Sequence, residues 1–140
     1  MTTTNPAANK MNATETLENE IRERTKEIFG AFERCDGEAF YGAFGDSMIS
    51  VVNGNIDPDW PAQREKGAAL FAKISSAKFE MLDMHVRALG PDSAMAITAF
   101  DYAATLEGVG AHHESSVVTW IYARENGEWK IVHSHQTTDA

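Results

Sequence analysis

The sequence predicts an α+β fold in which helices come first and hairpin-linked strands follow. Three observations carry that expectation. Apolar residues recur at helical spacing through the first half of the chain, and the period switches to two from Lys78 onward. Asn126-Gly127 is the strongest two-residue hairpin signal present. A strongly curved antiparallel sheet with the N-terminal helices on its concave face satisfies all three. Such a sheet forms a cone, and a cone encloses a pocket.

The elements follow in order. The opening residues MTTTNPAANKMN lack the apolar stretch of a signal peptide, and residues 1–13 read as a disordered polar tail. Order is expected from Asn12 or Thr14, where a polar cap precedes an acidic first turn over 15–18. Leu17, Ile21, Ile28, Phe29 and Phe32 then line one side of an amphipathic helix, with Glu20, Arg22, Glu23, Arg24 and Lys26 opposite. Cys35-Asp36-Gly37 breaks it, and Asp36 is placed to cap a short helix carrying Ala39, Phe40, Ala43 and Phe44. Gly45-Asp46 ends that helix. The β-prone run 48–52 is closed by Asn53-Gly54-Asn55. Pro58 and Pro61 keep 57–61 irregular, and a third helix is expected over 62–75 with Ala69, Leu70, Phe71 and Ile74 on its apolar side. Four strands complete the chain, over 79–89, 94–106, 112–124 and 128–137.

A chain of 140 residues makes one domain, here 14–140. Its 43% hydrophobic and 24% charged residues suit a globular protein. Lys and Arg total 12 against 21 Asp and Glu, a net charge of −9 with an isoelectric point near 4.9. That balance argues against nucleic acid and against anionic membranes, since both demand clustered basic residues. A neutral or cationic small molecule stays open, as does a protein partner. Cys35 is the single cysteine, no apolar run approaches the ~20 residues of a membrane span, and a cytoplasmic location is expected.

The ending Asn126-Gly127-Glu128-Trp129-Lys130-Ile131-Val132-His133-Ser134-His135-Gln136-Thr137 resembles the last strand of the SnoaL-like branch of the nuclear-transport-factor-2-like superfamily. It is most similar to the association-domain-like group typified by calcium/calmodulin-dependent protein kinase II, whose ending reads D/N-G-x-W-x-I-V-H-x-H-x-S/T. Leu89-Gly90-Pro91-Asp92-Ser93-Ala94 and Cys35-Asp36-Gly37 extend the likeness. The resemblance implies a cystatin-like cone, a bacterial origin and a homodimer. The superfamily spans isomerases, polyketide cyclases, dehydratases, epoxide hydrolases and pure oligomerisation domains, so the fold leaves the chemistry open.

Two family mechanisms can be tested on the residues. In isomerase relatives a general-base Asp ends the first strand and a protonated Asp follows later. Those positions fall near Val52 and Val118, which transfer no proton. The association-domain pocket carries three arginines, and these fall on Phe100, Trp120 and Gln136. An anion-binding pocket of that kind is not expected. Strand alternation puts Phe100 with Tyr102, Trp120 with Tyr122, and Gln136 with Ser134 and Val132. Phe100, Tyr102, Trp120, Tyr122, Ser134 and Gln136 are therefore the candidate ligand-binding residues, suited to a flat, mostly neutral molecule. The same aromatics would otherwise fill the cone as core.

Alternation also places His133 and His135 with Trp129 and Ile131 on the outer face, as structural or interface residues and not as metal ligands. His112-His113-Glu114 reads as a solvated turn. Asp101, and Asp83 with His85, read as rim or interface charges. No phosphate loop, nucleophile elbow or zinc motif is present, and neither cofactor nor metal is expected. Two readings stand. One is a homodimeric, small-molecule-binding cone, open to cofactor-independent isomerase, cyclase or dehydratase chemistry. The other is a non-catalytic oligomerisation module joined through the outer face of the sheet.

Overall fold

The computed structural model describes residues 6–139, with side chains from Ala13 onward. Helix α1 spans Pro6–Glu33, beginning earlier than Asn12 or Thr14. Of the polar tail expected over 1–13, residues 1–5 lie outside the described residues. The apolar stripe does what its spacing implies: Ile21, Ile28 and Phe29 are buried against the sheet.

Two residues past the end of α1, Cys35 takes a left-handed φ of 57° and closes it. The N–H of Asp36 donates to the Ala31 carbonyl (2.9 Å) and that of Cys35 to Phe32 (2.9 Å), which satisfies two carbonyls of the last turn. Asp36 caps α2 (Gly37–Gly42) by accepting from the Ala39 N–H at 3.1 Å, as expected. The second helix is shorter than its apolar residues suggested, because Phe44 belongs to β1 (Phe44–Val52). Gly45 is no turn residue: it is buried in β1 where a Cβ would lie 2.8 Å from Glu125 Oε1. Asn53 (φ 50°) and Gly54 (φ 83°) turn the chain into a short β2 (Asn55–Asp57) that pairs back on β1, a hairpin the sequence reading closed without extending.

Asp59 caps α3 (Trp60–Phe71), and Pro61 sits in its first turn, where a missing N–H costs nothing. This helix ends before 75, since Ile74 opens β3 (Ile74–Gly90). The remaining strands are β4 (Ser93–Leu106), β5 (Gly110–Glu125) and β6 (Glu128–Asp139). Asn126 (φ 52°) and Gly127 (φ 80°) form the expected tight turn between β5 and β6.

The six strands lie in the order β2-β1-β6-β5-β4-β3. All neighbours are antiparallel except β1 and β6, which run parallel, so the expected antiparallel sheet is in fact mixed. The β2 hairpin and α3 intervene between β1 and β3, and β1 lies beside the last strand. Register shifts interrupt β3 between Met81 and Asp83 and the β5–β6 pairing at Ile121/Tyr122. Such bulges bend strands, and here they help curl the sheet around α1. Two α1 carboxylates reach the sheet edge: Glu18 accepts from the Ala88 N–H (2.9 Å) and Glu33 from that of Phe79 (3.1 Å). Among the described residues no helix is long and apolar enough to cross a membrane.

The β5–β6 shift overturns one expectation. Tyr122 faces Ile131 whereas Ile121 faces His133, so Val132 is the extra residue. Trp129 and Ile131 lie inside (7% and 0% exposed), and beyond the bulge the inward parity passes to Ser134 and Gln136. Trp129 and Ile131 are thus core residues and not part of the outer face, and Val132 does not share the inward side of Gln136. His133 and His135 remain outward: His135 is exposed, and His133 donates Nδ1–H to the Ile49 carbonyl at 2.8 Å.

Candidate functional site: an aromatic cone with one acidic end

The inner residues of β4 and β5 leave an open cavity of about 440 Å³ between the sheet and the helices. Ring packing shapes its wall. Phe29 stacks on Trp120 at 5.0 Å and leans on Phe100 at 5.1 Å. Phe79 meets Tyr102 at 5.1 Å, and Phe32 meets Phe71 at 4.7 Å. These are the tilted, edge-on and offset geometries that aromatic quadrupoles favour, so they hold the wall in shape. Gly67 lets Tyr41 pack directly against α3, where a Cβ would come 3.0 Å from the ring carbon bearing the hydroxyl. Leu70 and Val109, 55% and 73% exposed, form an apolar rim.

Four of the six candidate residues, Phe100, Tyr102, Trp120 and Gln136, line this cavity. Tyr122 and Ser134 do not; both are buried elsewhere in the inner face. Tyr122 is committed to the core. Thr25 donates to the Ile21 carbonyl (2.8 Å), so the Tyr122 hydroxyl donates to Thr25 Oγ1 (2.8 Å), tying the sheet to α1. Burial holds its ionisation well above the ordinary tyrosine range. Gln136 donates from Nε2 to Ser116 Oγ (3.3 Å) and Thr138 Oγ1 (3.1 Å), which spends both amide hydrogens and leaves the carbonyl as its free function.

Sequence reasoning missed the polar end of the cavity. His112 and Glu114 lie within β5 and line the cavity instead of decorating a turn. The His112 Nε2–H donates to Glu114 Oε2 at 2.9 Å, and the Glu114 side chain is only 20% exposed. The same ring lies edge-on to Tyr102 at 6.1 Å. Burial, then the Glu114 charge, push the Tyr102 hydroxyl up to about 12, so it stays a proton donor at neutral pH. The missed signal was parity: stepping back from Trp120 by twos reaches Val118, Ser116, Glu114 and His112. The helical rings Phe29, Phe32, Phe40 and Phe71 were read as helix faces without a place on the wall.

The remaining candidates stay apart. Asp101 accepts from Ser115 Oγ at 2.6 Å, and Asp83 pairs with His85 at 3.0 Å. Among the described residues no three His, Cys, Asp or Glu side chains gather to hold a metal. Val118 lines the cavity, and Val52, half of the acid pair's counterpart, does not.

A mixed sheet curled around one long helix, with an aromatic hollow open at the strand ends, defines a cone-shaped α+β protein. The chain belongs to the SnoaL-like domain family, which matches residues 21–137. Solved structures agree on the fold. An NTF2-like protein of Streptomyces avermitilis, described as a candidate dehydratase, superposes with a TM-score of 0.76 at 16% identity, over 90% of this chain and 98% of that one. An NTF2-like superfamily protein from Salmonella enterica gives 0.75 at 18%, over 90% and 93%. The association domain of the C. elegans CaMKII gives 0.70 at 18%, over 89% and 98%. At these identities the likeness shows the fold alone. No curated protein matches the chain.

Proposed function

We propose that this SnoaL-like domain binds a small, mostly apolar or aromatic molecule in its cone and does so as a homodimer in a bacterial cytoplasm. The observation that carries the reading is the cavity of about 440 Å³, walled by aromatic rings and carrying few polar groups. Its size and lining match those of ordinary small-molecule pockets. Phe100, Tyr102, Trp120 and Gln136 would contact the ligand. Tyr122 and Ser134 would support the wall from behind.

The dimer rests on a different observation. The outer face of the central strands is apolar: Ile49 and Val117 are 45% and 48% exposed, beside half-buried Met95, Ile97 and Ile121. Cross-strand register makes this a continuous patch, with His133 opposite both Ile49 and Ile121. A second copy would cover it in a self-complementary contact. Association-domain neighbours favour assembly, and a pure assembly module is the alternative if the cone takes no ligand. The free thiol of Cys35 suits the cytoplasm.

Native mass spectrometry of freshly purified protein tests both parts. We expect a dimer carrying a discrete organic adduct that Trp120→Ala releases. An adduct retained at wild-type occupancy by Trp120→Ala contradicts binding in the cone.

A further inference from the structure

We propose that the cavity selects a ligand bearing a cationic amine, an ammonium on an aromatic or aliphatic body, with the charged end held at Glu114. The inference rests on the binding reading above and names the chemistry that the same site would prefer.

The formal charges in the lining are one-sided. Among the described residues Glu114 is its one carboxylate, no Lys or Arg lines the cavity, and the His112 ring is already bonded to Glu114. Glu114 is held in place at Oε2 by His112, and a carboxylate keeps further acceptor capacity after one such bond. Gln136 has spent its amide hydrogens on Ser116 and Thr138, so it too offers an acceptor. The polar lining therefore asks for donors. The same lining holds the rings of Phe32, Phe79, Phe100, Tyr102 and Trp120, and aromatic quadrupoles attract a cation. Tyr102 in that wall lies close enough to Glu114 for its charge to add to the effect of burial on the hydroxyl.

A carboxylate or phosphate in the same place would meet Glu114 with no Lys or Arg among the described lining residues to offset it, and would lose its hydration to aromatic surface. An ammonium would exchange water for a carboxylate and ring faces. The net charge of −9 adds to this by drawing cations towards the molecule.

Calorimetric titration of the wild-type protein at neutral pH with three probes of similar shape provides the test: phenethylamine, phenethyl alcohol and hydrocinnamate. The inference predicts that the amine binds at least tenfold tighter than the alcohol, and the alcohol tighter than the acid. Glu114→Gln should abolish the advantage of the amine, whereas Glu80→Gln on the outer face should preserve it. An alcohol that binds as well as the amine overturns the amine preference and leaves the binding reading standing. If none of the three binds, both readings fall. The wild-type order is decisive even if Glu114→Gln does not fold.

Discussion

Tyrosine 122 shows how much a single buried hydroxyl decides. Its bond to Thr25 is made between the sheet and α1, inside the core and out of reach of water. Removing the hydroxyl leaves Thr25 one partner short but opens almost no space. Tyr122→Phe should therefore destabilise by about 1–2 kcal/mol, read from denaturant unfolding, with no change in ligand affinity. An affinity loss with unchanged stability would return Tyr122 to the cavity. The three tyrosines, Tyr41, Tyr102 and Tyr122, all have ionisation raised by burial. A folded value above the unfolded 10.0 means stability that is fully present below pH 10 and lost as pH rises through the folded value, about 12 for Tyr102. Phenolate absorbance should stay low at pH 10 and appear together with unfolding. Half-ionised tyrosine in folded protein at pH 10 would contradict the burial described.

Strands and turns were legible where the pattern is local. Asn126-Gly127 announced its hairpin because both residues accept positive φ, which the turn requires. Gly127→Ala should cost about 1 kcal/mol in unfolding stability, since a Cβ meets no neighbour there and only the backbone penalty at φ 80° remains. A neutral result would mean that the turn relaxes to another form. Parity along β4 and β5 placed Phe100, Tyr102 and Trp120 inward from the sequence, and the structure has them on the cavity wall. Parity along β6 held for 133–136 and failed for Trp129, Ile131 and Val132, because the bulge at Val132 is set by pairing with Ile121 and Tyr122 on another strand. The parallel pairing of β1 with β6 was hidden for a similar reason: it joins residues more than eighty positions apart in sequence, as Ile49 and His133 show. His112 and Glu114 were misread because they open the expected strand beside Gly108 and Gly110 and look like its solvated end, whereas β5 runs from Gly110 and carries the inward parity to them.

At the scale of the whole molecule, the two faces of one sheet differ in character, and the proposed reading gives each its own role. The inner face holds the aromatic hollow, and the outer face offers the apolar patch around Ile97, Val117 and Ile121. Ile121→Glu places a charge in that patch, on the face of β5 opposite the cavity wall. Sedimentation should show the dimer replaced by a folded monomer. A variant that sediments like the wild type would move the interface elsewhere. Because the cavity opens between helices and strand ends, its aromatic wall should survive that substitution, and probe binding in the monomer would show the two faces to be independent.

The central claim is that the cone is a ligand pocket and not a filled core. A crystal structure of the protein soaked with phenethyl alcohol tests it most directly. The probe should sit inside the cavity, its ring against Phe100 and Trp120 and its hydroxyl towards the Glu114 end. A cavity closed by the rings of Phe32, Phe40 and Phe71, with the probe excluded, would contradict it.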